Sequence, residues 1–96
     1  MLFVAYWELN PDLDPKKIAE VAAKYLQEGK FPVPGVKTVG WYLTAELWGV
    51  TVFEVESAET IFKDQILWRK GIPGIFKVFK VSPAMPTENI IPLVLE

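Results

Sequence analysis

Apolar positions alternate, recur or cluster along this chain in a way that predicts six elements. Residues 2 to 9 form a strand with apolar side chains on both faces, Leu2, Val4 and Tyr6 on one and Phe3, Ala5 and Trp7 on the other. Two apolar faces mark a central strand covered on both sides. After Asn10-Pro11, Asp14 precedes Pro15 as an N-cap precedes a first-turn proline. Ile18, Val21, Ala22, Tyr25 and Leu26 then recur at i, i+3, i+4, i+7 and i+8, one apolar face of a helix. Gly29 closes that helix, and Phe31-Pro32-Val33-Pro34-Gly35 is a stiff connector that suits neither helix nor ladder.

Residues 36 to 43 and 48 to 55 are rich in Val, Trp, Tyr, Thr and Phe and are separated by Thr44-Ala45-Glu46-Leu47, the pattern of a hairpin. A tip between Ala45 and Glu46 pairs residues whose numbers sum to 91. Lys37 then opposes Glu54, Val39 opposes Val52, Trp41 opposes Val50 and Leu43 opposes Trp48, all on one face. Thr38, Gly40, Tyr42, Gly49, Thr51 and Phe53 take the other, where small residues suit close packing of helices. Ser57 is a plausible N-cap for a second helix with Glu59 in its first turn, continued by Ile61, Phe62, Ile66 and Trp68 or Arg69 and stopped by Gly71-Ile72-Pro73-Gly74. Ile75 to Val81 is the last strand, Ser82 to Pro86 is extended, and the apolar run from Ile90 to Leu95 should dock on its own subunit or on a partner.

The order β-α-β-β-α-β predicts an α+β fold, the ferredoxin-like sandwich with an antiparallel sheet of order 4-1-3-2. One domain spans residues 1–96, with its core in 1–82 and an apolar extension in 83–96. Two helices cover one sheet face. The other, bearing Val39, Trp41, Leu43, Trp48, Val50 and Val52, needs a partner, so a homodimer or higher homo-oligomer is expected.

Composition narrows the chemistry. The chain has no Cys and no His, which excludes thiolate nucleophiles, disulfides, Cys/His zinc sites, axial histidine and imidazole bases. No metal site and no cofactor are expected, since no Asp-rich loop of calcium-binding spacing is present. A hydrophobic content of 51% is more than so short a domain readily hides within itself. The net charge of −2 gives no bulk attraction to nucleic acid or anionic membrane. Lys77 and Lys80 have opposite parity on a strand, so they should point to opposite faces and form no basic stripe. The initial apolar run lacks a preceding basic region and is interrupted by Glu8, which reads as a strand rather than a signal peptide or membrane span and leads to a cytoplasmic expectation.

The run Pro34-Gly35-Val36-Lys37-Thr38-Val39-Gly40-Trp41-Tyr42, the strand ending Val52-Phe53-Glu54-Val55-Glu56 and the helix ending near Gln65-Ile66-Leu67-Trp68 resemble a group of small prokaryotic proteins of unknown function. That group is similar to a branch of the dimeric α/β-barrel superfamily, and the resemblance extends to about Ser82. It implies two ferredoxin-like subunits with their sheets face to face and a cavity between sheet and partner. The superfamily includes cofactor-free monooxygenases, haem-handling proteins, lactone isomerases, sugar mutarotases and ligand-binding regulatory modules, so function stays open. The nearer group has a histidine after the tryptophan that corresponds to Trp41. This chain has Tyr42 there, a departure that weighs against histidine-dependent activity.

Tyr6, Glu8, Lys37 and Glu54 are the candidate catalytic set. If they share the open face, a carboxylate beside an ammonium is tuned for proton transfer and Tyr6 donates to a developing oxyanion. The plainer alternative is a cross-strand ion pair between Lys37 and Glu54 and a solvated Glu8. Trp41, Trp48 and Trp68 suit a flat apolar ligand or ordinary packing. Arg69, the one arginine, suits a bound carboxylate or the end of a helix dipole. Two functions follow: a non-enzymatic assembly or small-apolar-ligand-binding module, and a cofactor-independent isomerase or monooxygenase with a carboxylate base in the dimer cavity.

Overall fold

The computed structural model describes residues 1–96 as strand β1 (Leu2–Leu9), helix α1 (Pro15–Gln27), strands β2 (Lys37–Leu43) and β3 (Trp48–Glu54), helix α2 (Ala58–Gly71), strand β4 (Phe76–Pro83) and helix α3 (Thr87–Leu95). Local chemistry sets the helix ends. The Asp14 side chain accepts from the Lys16 N–H at 2.9 Å and the Ser57 hydroxyl from the Glu59 N–H at 3.1 Å, each satisfying a donor that the first helical turn leaves free. Gly29, at φ +69°, turns the chain out of α1.

The four strands form one antiparallel sheet of order β2-β3-β1-β4, the ferredoxin-like arrangement the pattern predicts. α1 and α2 cover the face to which Phe3, Ala5, Trp7 and Phe53 point. Ala5, Trp7, Phe53 and Val55 form one buried cluster, and Tyr25, Phe31, Trp68, Ile72 and Ile75 form a second, nearer the helices. The Tyr25 hydroxyl occupies the space a side chain at Gly71 would need and donates to the Leu67 carbonyl at 2.8 Å, locking α1 to α2.

Two bulges change what the strands present. Lys37 faces Glu54 and Thr38 faces Phe53 as the hairpin register requires. One extra residue, Val39, then shifts the pairing, so that Gly40 faces Val52, Trp41 faces Thr51 and Leu43 faces Gly49. Because side chains alternate along a strand, this shift moves Trp41 and Leu43 from the predicted open face to the helix side and sends Gly40 and Tyr42 the other way. A second irregularity falls at Lys77, between the Glu8–Val78 and Leu9–Phe76 pairs. It removes the strict alternation behind the expectation that Lys77 and Lys80 oppose each other: Lys80 lies opposite Tyr6 on the open face, and Lys77 borders a depression shared with Glu8 and Trp48.

Two further features concern the helices. Phe62 and Ile66 of α2 are exposed, and its inward stripe is Ile61, Asp64, Gln65 and Trp68. The apolar C-terminal segment is a third helix, Thr87–Leu95, with no residue buried within the chain, and Ile91, Leu93, Val94 and Leu95 are more than half exposed. None of the helices is long and apolar enough to cross a membrane.

Candidate ligand cavity

The helices do not close on the sheet. Only 11 of 96 residues are buried, and a cavity of about 530 Å³ lies between the two layers. Its volume falls in the range of roughly 300–1,000 Å³ common to small-molecule sites. The sheet contributes Ala5, Trp7, Thr38, Trp41, Thr51 and Phe53 to its floor; α1 supplies Ile18, Ala19, Ala22 and Ala23; α2 supplies Ile61, Asp64, Gln65 and Trp68. The alanines of α1 are one reason the space exists, since larger side chains on that face would fill it.

Aromatic rings crowd one end. Phe31 lies 4.6 Å from Trp41 and 5.2 Å from Trp68, centroid to centroid, and the two tryptophans are 6.2 Å apart. The Val39 bulge is what brings Trp41 here. Trp7, whose indole N–H donates to the Thr51 hydroxyl at 3.0 Å, lies over Gly49 so closely that no larger residue fits there.

Four buried side-chain oxygens have no hydrogen-bond partner, and three of them belong to cavity residues: Thr38 Oγ1, Asp64 Oδ1 and Gln65 Oε1. Buried polar atoms left unpaired are uncommon and costly. Burial pushes the Asp64 carboxyl up to about 6, opposed only by a 3.5 Å hydrogen bond from the Gln65 amide. Four ion pairs occur in the structure and none involves Asp64.

The residues singled out by sequence scatter over the molecule. Tyr6 and Glu8 do meet on the open face, where the Tyr6 hydroxyl donates to Glu8 Oε2 at 2.6 Å and the ring packs 5.8 Å from Trp48. That bond raises the Tyr6 pKa, because ionising the phenol would set two anions side by side. Lys37 and Glu54 form a largely exposed pair at 3.7 Å. The two pairs are not one site: Glu8 is level with Trp48 and Glu54 with Leu2, a separation of six residues or about 20 Å along the strands. Trp48 stays on the open face. Arg69 lies on the surface, its guanidinium 5.4 Å from the Phe76 ring and 6.0 Å from Phe79. Only Trp41 and Trp68 of the tryptophans considered line the cavity.

Asp64 and Gln65 escaped the sequence reading. The signal that exposes them is positional: they stand three and four residues after Ile61 and four and three before Trp68, inside the stripe a helix turns toward its core. Two polar residues in that stripe are the anomaly.

The whole chain, residues 1–96, matches the family described as a domain of unknown function, DUF3303. The chain belongs to that family. No curated protein matches it. Among solved structures, this DUF3303 chain is similar to a putative antibiotic biosynthesis monooxygenase from Nitrosomonas europaea, with a TM-score of 0.55 and 10% identity over 88% of this chain and 98% of that one. It is similar also to the Agrobacterium tumefaciens protein Atu4242, with a TM-score of 0.53 and 14% identity over 90% of this chain and 93% of the other. At these identities the likeness is one of fold. It agrees with the ferredoxin-like sheet order described above.

Proposed function

We propose that this DUF3303 chain is a small-molecule-binding module whose ligand is mostly apolar, carries hydrogen-bond donors, and occupies the space between the sheet and helices α1 and α2. The observation that carries this reading is the coincidence of three unpaired polar oxygens with one apolar, aromatic-walled cavity. Apolar walls supply affinity without direction, and a few polar groups fix orientation. A second copy of the chain across the open face completes the reading, since Val4 and Trp48 lie there exposed and Val50 and Val52 beside them are only partly covered.

Thermal melting of the intact chain with a flat neutral probe, 2-naphthylmethanol, tests the site. A ligand bound only by the native state adds about 2.7 kcal/mol when present at about 100 times its Kd, and each kcal/mol moves the Tm of so small a domain by about 4–8 °C. The Ala22→Phe variant, which fills the cavity from α1, should melt higher than the parent and lose the response to probe. A probe that raises both melting temperatures equally binds elsewhere and defeats the assignment.

One observation supports a catalytic alternative, a cofactor-independent isomerase or monooxygenase. Asp64, with a pKa near 6, is suited to accept and return a proton near neutral pH. In that alternative the base is Asp64, on the opposite side of the sheet from Glu8. Mass spectrometry of a bound compound after incubation separates the two: conversion abolished in Asp64→Asn supports the enzyme, and recovery of the compound intact supports the module.

A further inference from the structure

We infer that the cavity takes a cation: a small hydrophobic amine whose ammonium group sits against Asp64, Gln65 and Thr38 while its apolar body lies among the aromatic rings beyond. This rests on the ligand-binding reading above and adds the charge of the ligand to it.

Asp64 is the one carboxylate among the residues that line the cavity, neither Lys nor Arg borders the space, and Tyr42, though it borders it, turns its ring to the open face beside Gly40. Its carboxylate has no ion-pair partner, and its single hydrogen bond, from Gln65, is long at 3.5 Å. A carboxylate removed from water without a counter-charge is strongly unfavourable, and a well-placed cation that also satisfies its free lone pairs offsets part of that cost. The unpaired atoms also have a direction. Asp64 Oδ1 and Gln65 Oε1 are acceptors and the Thr38 hydroxyl accepts as readily as it donates. An ammonium offers up to three N–H donors, whereas a hydroxyl offers one and a carboxylate none. A ligand carboxylate would add a second negative charge beside Asp64 with nothing to neutralise either.

The rings favour the same occupant. Trp68 stands one helical turn beyond Asp64 on α2, with Trp41 and Phe31 packed against it. A cation beside the face of such a ring is attracted to it, most strongly where water is excluded.

Three naphthalenes with one body and different heads test this on the full-length chain by calorimetry at pH 7.5: 2-naphthylmethylamine, 2-naphthylmethanol and 2-naphthoate. The amine should bind at least about tenfold more tightly than the alcohol, the size expected of a hydrogen bond to a buried charge, and the carboxylate should bind most weakly. In Asp64→Asn the preference of amine over alcohol should vanish. Equal binding of amine and alcohol by the parent overturns the inference while leaving the ligand-binding reading intact, and so does an unchanged preference in Asp64→Asn. Binding of none of the three, with no thermal shift, removes both. The series on the parent chain decides by itself if the variant does not fold.

Discussion

Asp64 illustrates how a side chain placed for binding acts against the fold that holds it. Burial raises its pKa from 3.8 to about 6, so between those values the folded chain binds a proton that the unfolded chain has released. The contribution of Asp64 to stability therefore falls as pH rises through that interval: it is fully present below pH 4 and is lost above pH 6. A shift of about two units corresponds to about 3 kcal/mol. Replacing Asp64 with Asn keeps the shape and removes the titration. Urea unfolding at pH 5 and pH 8 should show the parent losing stability between the two, the variant losing much less, and the variant more stable than the parent at pH 8 by up to about 3 kcal/mol. A parent whose stability is flat across that range would mean the carboxylate is better solvated than its place in α2 implies. A carboxylate that costs stability and stands in the apolar stripe of a helix has the profile of a binding group.

At the scale of elements, the Val39 bulge matters most. Val39 itself is 58% exposed and contributes little packing, but its presence as an extra residue turns Trp41 and Leu43 toward the helices. Deleting Val39 should restore strict alternation in β2, expel Trp41 from its contacts with Phe31 and Trp68, and abolish response to the naphthyl probe, with stability lower by about 3 kcal/mol. Val39→Ala, which keeps the count of residues, should leave probe binding near that of the parent. Thermal melts of the two variants with and without probe provide the comparison. The same bulge explains what could and could not be read from the chain beforehand. The caps at Asp14 and Ser57, the element order and the pairing of Lys37 with Glu54 all follow from local residue chemistry and period. A bulge leaves no comparable mark, because Val39-Gly40-Trp41-Tyr42 suits a regular strand as well as an interrupted one. The cavity was hidden for a related reason. The apolar residues Ile61, Phe62, Ile66 and Trp68 mark the course of α2, but the helix leaves Phe62 and Ile66 exposed and turns Asp64 and Gln65 inward, against the usual distribution of polar residues.

The whole molecule is longer than a chain of this size needs to be. Its radius of gyration is 14.8 Å and it measures 49 × 28 × 17 Å, against an expected radius of about 12.5 Å for 96 residues. The exposed apolar helix α3 and the uncovered sheet face are the two surfaces that assembly with a second copy would bury. Under that proposal, light scattering at micromolar concentration gives the mass of a dimer, and Val52→Glu, which sets a charge in the middle of the open face, gives a monomer that still binds the naphthyl probe. Dimeric Val52→Glu protein would assign assembly to another surface. Under the proposed reading the sheet has two working sides, and one inserted residue, Val39, decides which side chains each receives. In two relatives that differ by a single deletion in β2, the same tryptophan would face the ligand in one and the neighbouring subunit in the other. Tyr42 would change sides with it. Under the proposed reading, the residue count of β2 would be a specificity determinant, because a one-residue gap would exchange the ligand-facing side for the assembly-facing one without altering a single side chain.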